Sequence, residues 1–237
     1  MNRAGRLIFF DIDATLITTG GGGKGAMLDA GRALHGESFT VDGISFAGRL
    51  DPLLLEEMLA LNGRPSDQAS VDAMYGAYRA SLRERLGRPM KGGPLPGVMD
   101  LLRALGRLEG VTLGLLTGNF AETGAMKLRA CGIDPDLFAI GVWGGDSPHR
   151  PPCRDHLPAV GLERYHRLTG RAIEPGLATI IGDTPHDIAC ARANGCRSLG
   201  VATGQFSTRQ LMEAGADHAV ADLSDTAGIL RWLVPGR

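Results

Sequence analysis

The stretch RLIFFDIDATLI, residues 6–17, decides the predicted fold because it joins an apolar strand to a pair of acidic residues. The run from Leu7 to Phe10 is apolar throughout and is typical of a short buried strand. Asp11 and Asp13 follow this run at once, although carboxylates held close together repel each other. Such a pair is tolerable where a cation neutralises its charge, so these residues indicate a functional site at the end of the strand.

Beyond residue 97 the sequence alternates apolar strand patterns with helical patterns. Strands are predicted at 111–119, 137–145, 177–183, 198–204 and 218–222. Helices are predicted at 98–108, 121–131, 155–168, 185–194, 207–214 and 224–233. Apolar strands that alternate with helices predict an α/β fold, in which a parallel sheet is covered on both faces.

The segment between the first strand and this alternation has a different pattern, with helices predicted at 25–35, 51–61 and 69–86. Asp51 and Pro52 suit the N-cap and first position of the second of these helices. The linker-like stretch MKGGPLPG, residues 90–97, closes the segment. The predicted organisation is therefore an α/β core formed by residues 1–16 and 93–237, with residues 17–92 as a helical insertion.

The near-neutral charge and the lack of long apolar runs argue against a nucleic-acid or membrane partner. Across 237 residues, 25 lysines and arginines nearly balance 26 aspartates and glutamates, so no strong field recruits nucleic acid or a lipid surface. No apolar run approaches the roughly 20 residues that a membrane span needs, and the first ten residues lack a signal-peptide pattern. The four cysteines form no C-x-x-C pair and are interpreted as reduced thiols. We expect a cytoplasmic protein with a small-molecule ligand; its oligomeric state is not predicted.

The polar residues that follow the apolar strands are expected to meet, because a parallel sheet binds ligands at the carboxyl ends of its strands. The first strand ends in Asp11 and Asp13, and later strands end in the runs 117–119 and 182–187. The last of these runs, GDTPHD, adds two further carboxylates, Asp183 and Asp187. Clustered carboxylates favour a hard divalent cation with oxygen ligands, such as Mg²⁺.

Three of these stretches, DIDATL, LLTGN and IIGDTPHD, resemble in this order motifs one, two and four of the haloacid dehalogenase superfamily. The resemblance spans almost the whole chain, and GRLD at residues 48–51 in the insertion is similar to the phosphoglycolate phosphatase-like branch. It implies a Rossmann-like core with a helical cap. It also implies a Mg²⁺-dependent phosphatase that acts on a small phosphorylated metabolite, with phosphoglycolate as the leading candidate.

The resemblance further implies a role for each matching residue. Asp11 would be the nucleophile that forms an aspartyl-phosphate, and Asp13 would protonate the leaving oxygen and then activate water. Thr117, with Gly118 and Asn119, would hold the phosphoryl oxygens. The implied metal ligands are all aspartates: Asp11, Asp13 through its backbone carbonyl, Asp183, and Asp187 in a supporting role.

Two positions depart from the superfamily pattern. Ala14 stands where the first motif usually has glycine, and since alanine resists positive φ we expect an ordinary negative φ there. The lysine of the third motif is missing, because residues 141–170 contain none. Arg154, just before a predicted helix, is the favoured replacement, and Arg150 beside two prolines is the alternative.

The remaining alternatives concern the substrate and the reaction. Arg49 in the insertion could bind a substrate carboxylate, but an ion pair with a nearby acid is an equally good interpretation. A phosphomutase of the same superfamily would share both aspartates. A catalytically silent phosphate-binding protein also stays open, because the third-motif lysine is absent.

Overall fold

The computed structural model describes residues 5–89 and 91–236. The parts of the predicted domains and linker that fall on residues 1–4, 90 and 237 lie outside them. The described strands are β1 (Arg6–Phe10), β2 (Ile17–Thr18), β3 (Gly93–Pro94), β4 (Val111–Leu116), β5 (Ile140–Val142), β6 (Ala178–Gly182), β7 (Arg197–Val201) and β8 (His218–Val220). The described α-helices are α1 (Gly22–His35), α2 (Asp51–Leu61), α3 (Gln68–Leu86), α4 (Val98–Gly106), α5 (Ala121–Ala130), α6 (Leu157–Thr169), α7 (Pro185–Ala193), α8 (Thr208–Glu213) and α9 (Thr226–Leu233).

The core is a six-stranded sheet in the order β5-β4-β1-β6-β7-β8. Every neighbouring pair in it is parallel. The α/β fold with a parallel sheet is therefore confirmed, and β1 lies in the middle of the sheet. Phe10 at the end of β1 is aligned with Leu115 of β4 and Ile181 of β6. This register brings the residues that follow these three strands to one edge of the sheet.

The two faces of β1 bury alternate side chains, as the pleat of a strand requires. Ile8 and Phe10 belong to a buried cluster that includes residues of α4 and α9. Leu7 and Phe9 belong to a second buried cluster that includes residues of α6 and α7. Helices thus cover both faces of the sheet, which explains why the strands are apolar without interruption.

The helices α1, α2 and α3 pack around a hydrophobic cluster of their own, which includes Met27, Met58 and Tyr78. The short strands β2 and β3 pair antiparallel, with Ile17 opposite Pro94, where the chain leaves the core and returns to it. The boundaries at 16/17 and 92/93 remain the proposed division of the chain.

Three local expectations are wrong. Ala14 has a positive φ of 58° rather than an ordinary one. The turn after Asp13 imposes it: the amide of Ala14 donates to Ile17 O at 2.8 Å, and Thr203 Oγ1 donates to the Ala14 carbonyl at 2.5 Å. These contacts hold a backbone conformation that costs a residue with a side chain roughly 1–2 kcal/mol.

The other two differences are at element ends. Leu50, and not Asp51, is the N-cap of α2, so Asp51 lies in the first turn of the helix. The strand expected at 137–145 shortens to β5, because 3₁₀ turns at Pro135–Leu137 and Gly144–Asp146 replace its ends.

The four cysteines are free thiols. Among the described helices, none has the length and apolar character that a membrane crossing requires.

Candidate active site

The carboxyl ends of β1, β4 and β6 open into a cavity of about 370 Å³. The edge of the sheet contributes Asp11, Thr117 and Asp183 to its wall. The inserted segment contributes the opposite wall, which includes Met27, Phe46 and Tyr78. A polar floor on the sheet and a partly apolar roof on the insertion form a pocket of the size that small metabolites occupy.

Three aspartates form a buried acidic cluster, and two of them, Asp11 and Asp183, line this cavity. One carboxylate oxygen from each of Asp11, Asp183 and Asp187 lies within 4.8 Å of the others. Burial is the main cause that raises the pKa of Asp11 to about 6, despite the opposing effect of Arg154. Burial, and then repulsion by Asp187 and Asp11, raises the pKa of Asp183 to about 8. A cluster with this excess of negative charge suits a divalent cation with oxygen ligands.

Asp187 is held differently from the other two acids. Its Oδ2 accepts hydrogen bonds from the Thr184 backbone amide at 3.0 Å and from the Thr184 hydroxyl at 2.6 Å. Together with the reciprocal bond to its own amide, this forms a capping box at the start of α7. Its Oδ1 accepts a hydrogen bond from Arg154 Nη2 at 2.5 Å. Both oxygens are therefore already engaged, which suits a supporting role beside the cation site.

Arg154 is the cation that the structure brings to the acidic cluster. It lies in a 3₁₀ turn before α6, is 6% exposed, and its Nη2 is 3.4 Å from Asp11 Oδ1. Burial alone would lower the pKa of this guanidinium, but Asp187 and Asp11 outweigh burial and raise it. Arg154 therefore stays charged. Arg150 is exposed and lines a different cavity beside Tyr75 and Phe120, so the structure does not bring it to Asp11.

The loop after β4 lies beside Asp13. Asn119 Nδ2 donates to Asp13 Oδ2 and to Thr117 Oγ1, both at 2.9 Å. The Thr117 hydroxyl lies beside Asp11 and opposes the larger effect of burial, which raises the pKa of that carboxyl. Gly118 is required where it stands, because an added Cβ would come within 1.9 Å of the Arg49 carbonyl. Thr117, Gly118 and Asn119 thus contact both aspartates of the first motif and the inserted segment.

Arg49 lines the cavity, but it also has an acidic partner. Its Nη2 is 2.6 Å from Glu57 Oε2, and its side chain is 32% exposed. Arg49 therefore forms an ion pair with a nearby acid, and its contact with a substrate carboxylate stays a prediction.

Two residues of the site were missed from the sequence. Lys127 on α5 is 4% exposed and its Nζ lies 2.7 Å from Asp13 Oδ2. Asp51 is 6% exposed, and its Oδ2 accepts a hydrogen bond from the Phe120 amide at 3.2 Å. Burial is the main cause that raises the pKa of Asp51 to about 7. A signal for Lys127 was present, because it occupies the inward face of the predicted helix 121–131 together with the buried Leu128.

Comparisons with known proteins identify relatives of this chain. Residues 8–192 match the family model described as haloacid dehalogenase-like hydrolase. The probable phosphatase IndB of Dickeya dadantii is 30% identical over 232 residues, which cover 96% of this chain and 94% of that protein. The phosphoglycolate phosphatase of Escherichia coli is 28% identical over 218 residues, which cover 84% of this chain and 82% of that protein.

A solved structure of a hydrolase from Pseudomonas syringae has the same fold, with a TM-score of 0.71 and 20% identity over 97% of this chain and 99% of that chain. This chain belongs to the haloacid dehalogenase-like hydrolase family. The family and the named relatives support its assignment as a phosphoric monoester hydrolase.

Proposed function

We propose that this protein is a Mg²⁺-dependent phosphatase that hydrolyses a small phosphorylated metabolite through an aspartyl-phosphate on Asp11. The observation that carries the proposal is the position of Asp11, which lines the cavity, belongs to the acidic cluster and lies 3.4 Å from the guanidinium of Arg154. A buried carboxylate in contact with both a cation site and a fixed positive charge can receive a phosphoryl group. Asp13 lies two residues further on, and its side chain is 43% exposed.

The proposed reaction has two displacements at phosphorus. In the first, a carboxylate oxygen of Asp11 attacks, the bond to the leaving oxygen breaks, and the carboxyl of Asp13 gives that oxygen its proton. In the second, the Asp13 carboxylate takes a proton from water, the water oxygen attacks the same phosphorus, and the bond to Asp11 breaks. Thr117 and the loop residues Gly118 and Asn119 hold the phosphoryl oxygens during both steps. The cap would exclude bulk water and select the substrate.

The acidic cluster would hold the metal through Asp11 and Asp183, with the Asp13 backbone carbonyl as a further ligand and Asp187 in support. Bound Mg²⁺ neutralises negative charge on the phosphoryl oxygens in the transition state. The buried acids provide a reason for a cation in the free protein as well. Without one, the carboxyls of Asp11 and Asp183 must either stay protonated or carry mutually repelling charges.

Metal dependence is the experiment that tests this function. With p-nitrophenyl phosphate, we expect turnover in Mg²⁺, none after chelation, and recovery when Mg²⁺ is restored. Asp183→Asn should raise the Mg²⁺ concentration for half-maximal activity by about tenfold or more, the usual order for damage to a metal site. The exposed control Asp42→Asn should leave that concentration unchanged. Wild-type turnover that survives chelation contradicts metal dependence, and an unchanged Mg²⁺ titration for Asp183→Asn removes Asp183 from the ligand set.

The same cluster predicts a pH effect on stability. Since folding raises the pKa of Asp183 from its usual 3.8 to about 8, metal-free protein should lose stability as pH rises through this window. Mg²⁺ competes with the protons, so its stabilising effect should be larger near pH 8 than near pH 5.5. Thermal melts of the wild type with and without Mg²⁺ at the two pH values measure this difference, which Asp183→Asn should reduce.

For the substrate, we propose a phosphoglycolate-like ester whose carboxylate contacts Arg49. The useful pair of substrates is phosphoglycolate and ethyl phosphate, which differ by a carboxylate in place of a methyl group. Arg49→Ala should lower kcat/KM for phosphoglycolate about tenfold more than for ethyl phosphate, since a charge-assisted hydrogen bond contributes about 1.5–3 kcal/mol. Glu57→Gln frees Arg49 from its ion pair and should shift the preference the other way.

An equal effect of Arg49→Ala on both esters would contradict the proposed role of Arg49 in substrate specificity.

A panel of sugar phosphates tests the alternative reaction, because isomerisation without phosphate release would identify a phosphomutase. Absence of turnover with every ester would favour a silent phosphate-binding protein. The cytoplasmic location remains a prediction from the sequence.

A further inference from the structure

A different basic side chain contacts each of the two aspartates of the first motif. Arg154 contacts Asp11, whereas Lys127 on α5 contacts Asp13. The family comparison gives no role to Lys127, and the proposed reaction does not use it. It is nevertheless almost fully buried, which is rare for a lysine unless its charge is paired.

The contacts of Lys127 are specific. Its Nζ donates to Asp13 Oδ2 at 2.7 Å and to Asn119 Oδ1 at 2.6 Å. Asn119 completes a closed triangle, because its Nδ2 donates to the same Asp13 oxygen at 2.9 Å. Two donors therefore converge on one oxygen of Asp13. Oδ1, the other oxygen, takes no part in this triangle.

The surroundings of Lys127 keep its ammonium charged and its hydrogen-bond triangle in place. Burial alone would lower the pKa of the lysine, but the attraction of Asp13, which also accepts its hydrogen bond, outweighs burial and raises it. The ammonium therefore stays charged. Its neighbours leave it little room, because a Cβ added at Gly23 would lie 3.0 Å from Nζ. A buried and charged side chain in a closed hydrogen-bond triangle restricts the rotation of the carboxylate that it holds.

We propose that Lys127 is a positioning residue, which together with Asn119 fixes Oδ2 of Asp13 so that Oδ1 carries out both proton transfers. This inference rests on the proposed function, since it assigns a role within that reaction. In the first displacement the O–H bond at Oδ1 breaks and the proton moves to the leaving oxygen as the phosphorus–oxygen bond breaks. In the second displacement the same oxygen accepts the proton of the attacking water. Without Lys127 the carboxyl can rotate, and the proton is less often in line with the leaving oxygen.

The dependence on the leaving group separates this role from a structural one. Phenyl phosphate and p-nitrophenyl phosphate are nearly the same size, but phenolate is the poorer leaving group and needs the proton more. The quantity to compare is kcat/KM, which reports the first displacement. Lys127→Met should lower kcat/KM for phenyl phosphate at least tenfold more than for p-nitrophenyl phosphate. Lys127→Arg should recover part of this loss, because it keeps a charged donor with different geometry.

The matched control is Arg129→Met, which removes an exposed cation from the same helix and should change neither substrate. If Lys127→Met does not fold, as judged by its thermal melt, Lys127→Gln provides the same comparison with a neutral donor. An equal loss on both esters, or no loss on either, overturns the positioning role while leaving the phosphatase intact. Failure of the wild type on both esters in Mg²⁺ is a different result, which contradicts the proposed function itself.

Discussion

Asp11→Asn should reduce phosphate release by about 10⁴-fold or more, the order expected when the nucleophile of a covalent mechanism is removed. The amide has the size of the carboxylate but cannot attack phosphorus. The side chain lies in the buried cluster and contacts Arg154, so the replacement changes chemistry more than packing. Phosphate release from p-nitrophenyl phosphate in Mg²⁺ measures the effect, with Asp42→Asn as the surface control.

The folded state of Asp11→Asn should survive. Folding raises the pKa of Asp11 from its usual 3.8 to about 6, so the ionised carboxylate destabilises the metal-free protein as pH rises through that window. The neutral amide lacks this charge. In metal-free buffer at about pH 8 the variant should therefore melt no lower than the wild type. Activity within tenfold of the wild type would remove Asp11 from the nucleophile role.

Arg154→Ala is expected to have the second largest effect, a loss of about 10² or more in kcat, as for other preorganised charged donors. The guanidinium donates to Asp187 Oδ1 at 2.5 Å and lies 3.4 Å from Asp11. It also donates to the Gly48 carbonyl at 3.3 Å, which belongs to the inserted segment. Its removal leaves the buried acids without a fixed positive charge and frees the nucleophile to turn.

Two further variants sharpen this prediction. Arg154→Lys should recover only part of the activity, because one ammonium cannot contact Asp11, Asp187 and Gly48 as the planar fork does. Arg150→Ala is the matched control, since that arginine is exposed and lines another cavity. The role would move to Arg150 if Arg150→Ala were crippling and Arg154→Ala nearly silent.

The sequence predicts the parallel sheet, and it predicts that the residues after β1, β4 and β6 lie close together. Both predictions depend only on the pattern of apolar strands that alternate with helices. Continuous apolar strands force a parallel sheet covered on both faces, and its register then brings the residues after β1, β4 and β6 together. Arg154 could be predicted because the superfamily resemblance calls for a cation in this region and Arg154 directly precedes the helical stripe of α6.

The residues that escaped prediction depend on tertiary contacts. Lys127 lies eight residues beyond Asn119, and only the docking of α5 brings its ammonium to Asp13. Asp51 was expected to cap a helix, but its position against the loop at Gly118 and Phe120 buries it instead. Ala14 takes its unusual φ from hydrogen bonds to Ile17 and Thr203, the second of which is distant in sequence. Local sequence propensity cannot predict such contacts between distant parts of the chain.

The central claim is that Asp11 carries the phosphoryl group, and Asp13→Asn tests it most directly. The nitrophenolate of p-nitrophenyl phosphate leaves without an acid, so the first displacement should proceed in this variant, while the second lacks its base. The measurement is the position of the phosphoryl group in acid-quenched protein, read by mass spectrometry alongside the released nitrophenolate. We predict a burst close to one equivalent per active site, with the phosphoryl group on Asp11. A phosphoryl group on another residue, or no burst from a folded variant of an active wild type, would contradict the account.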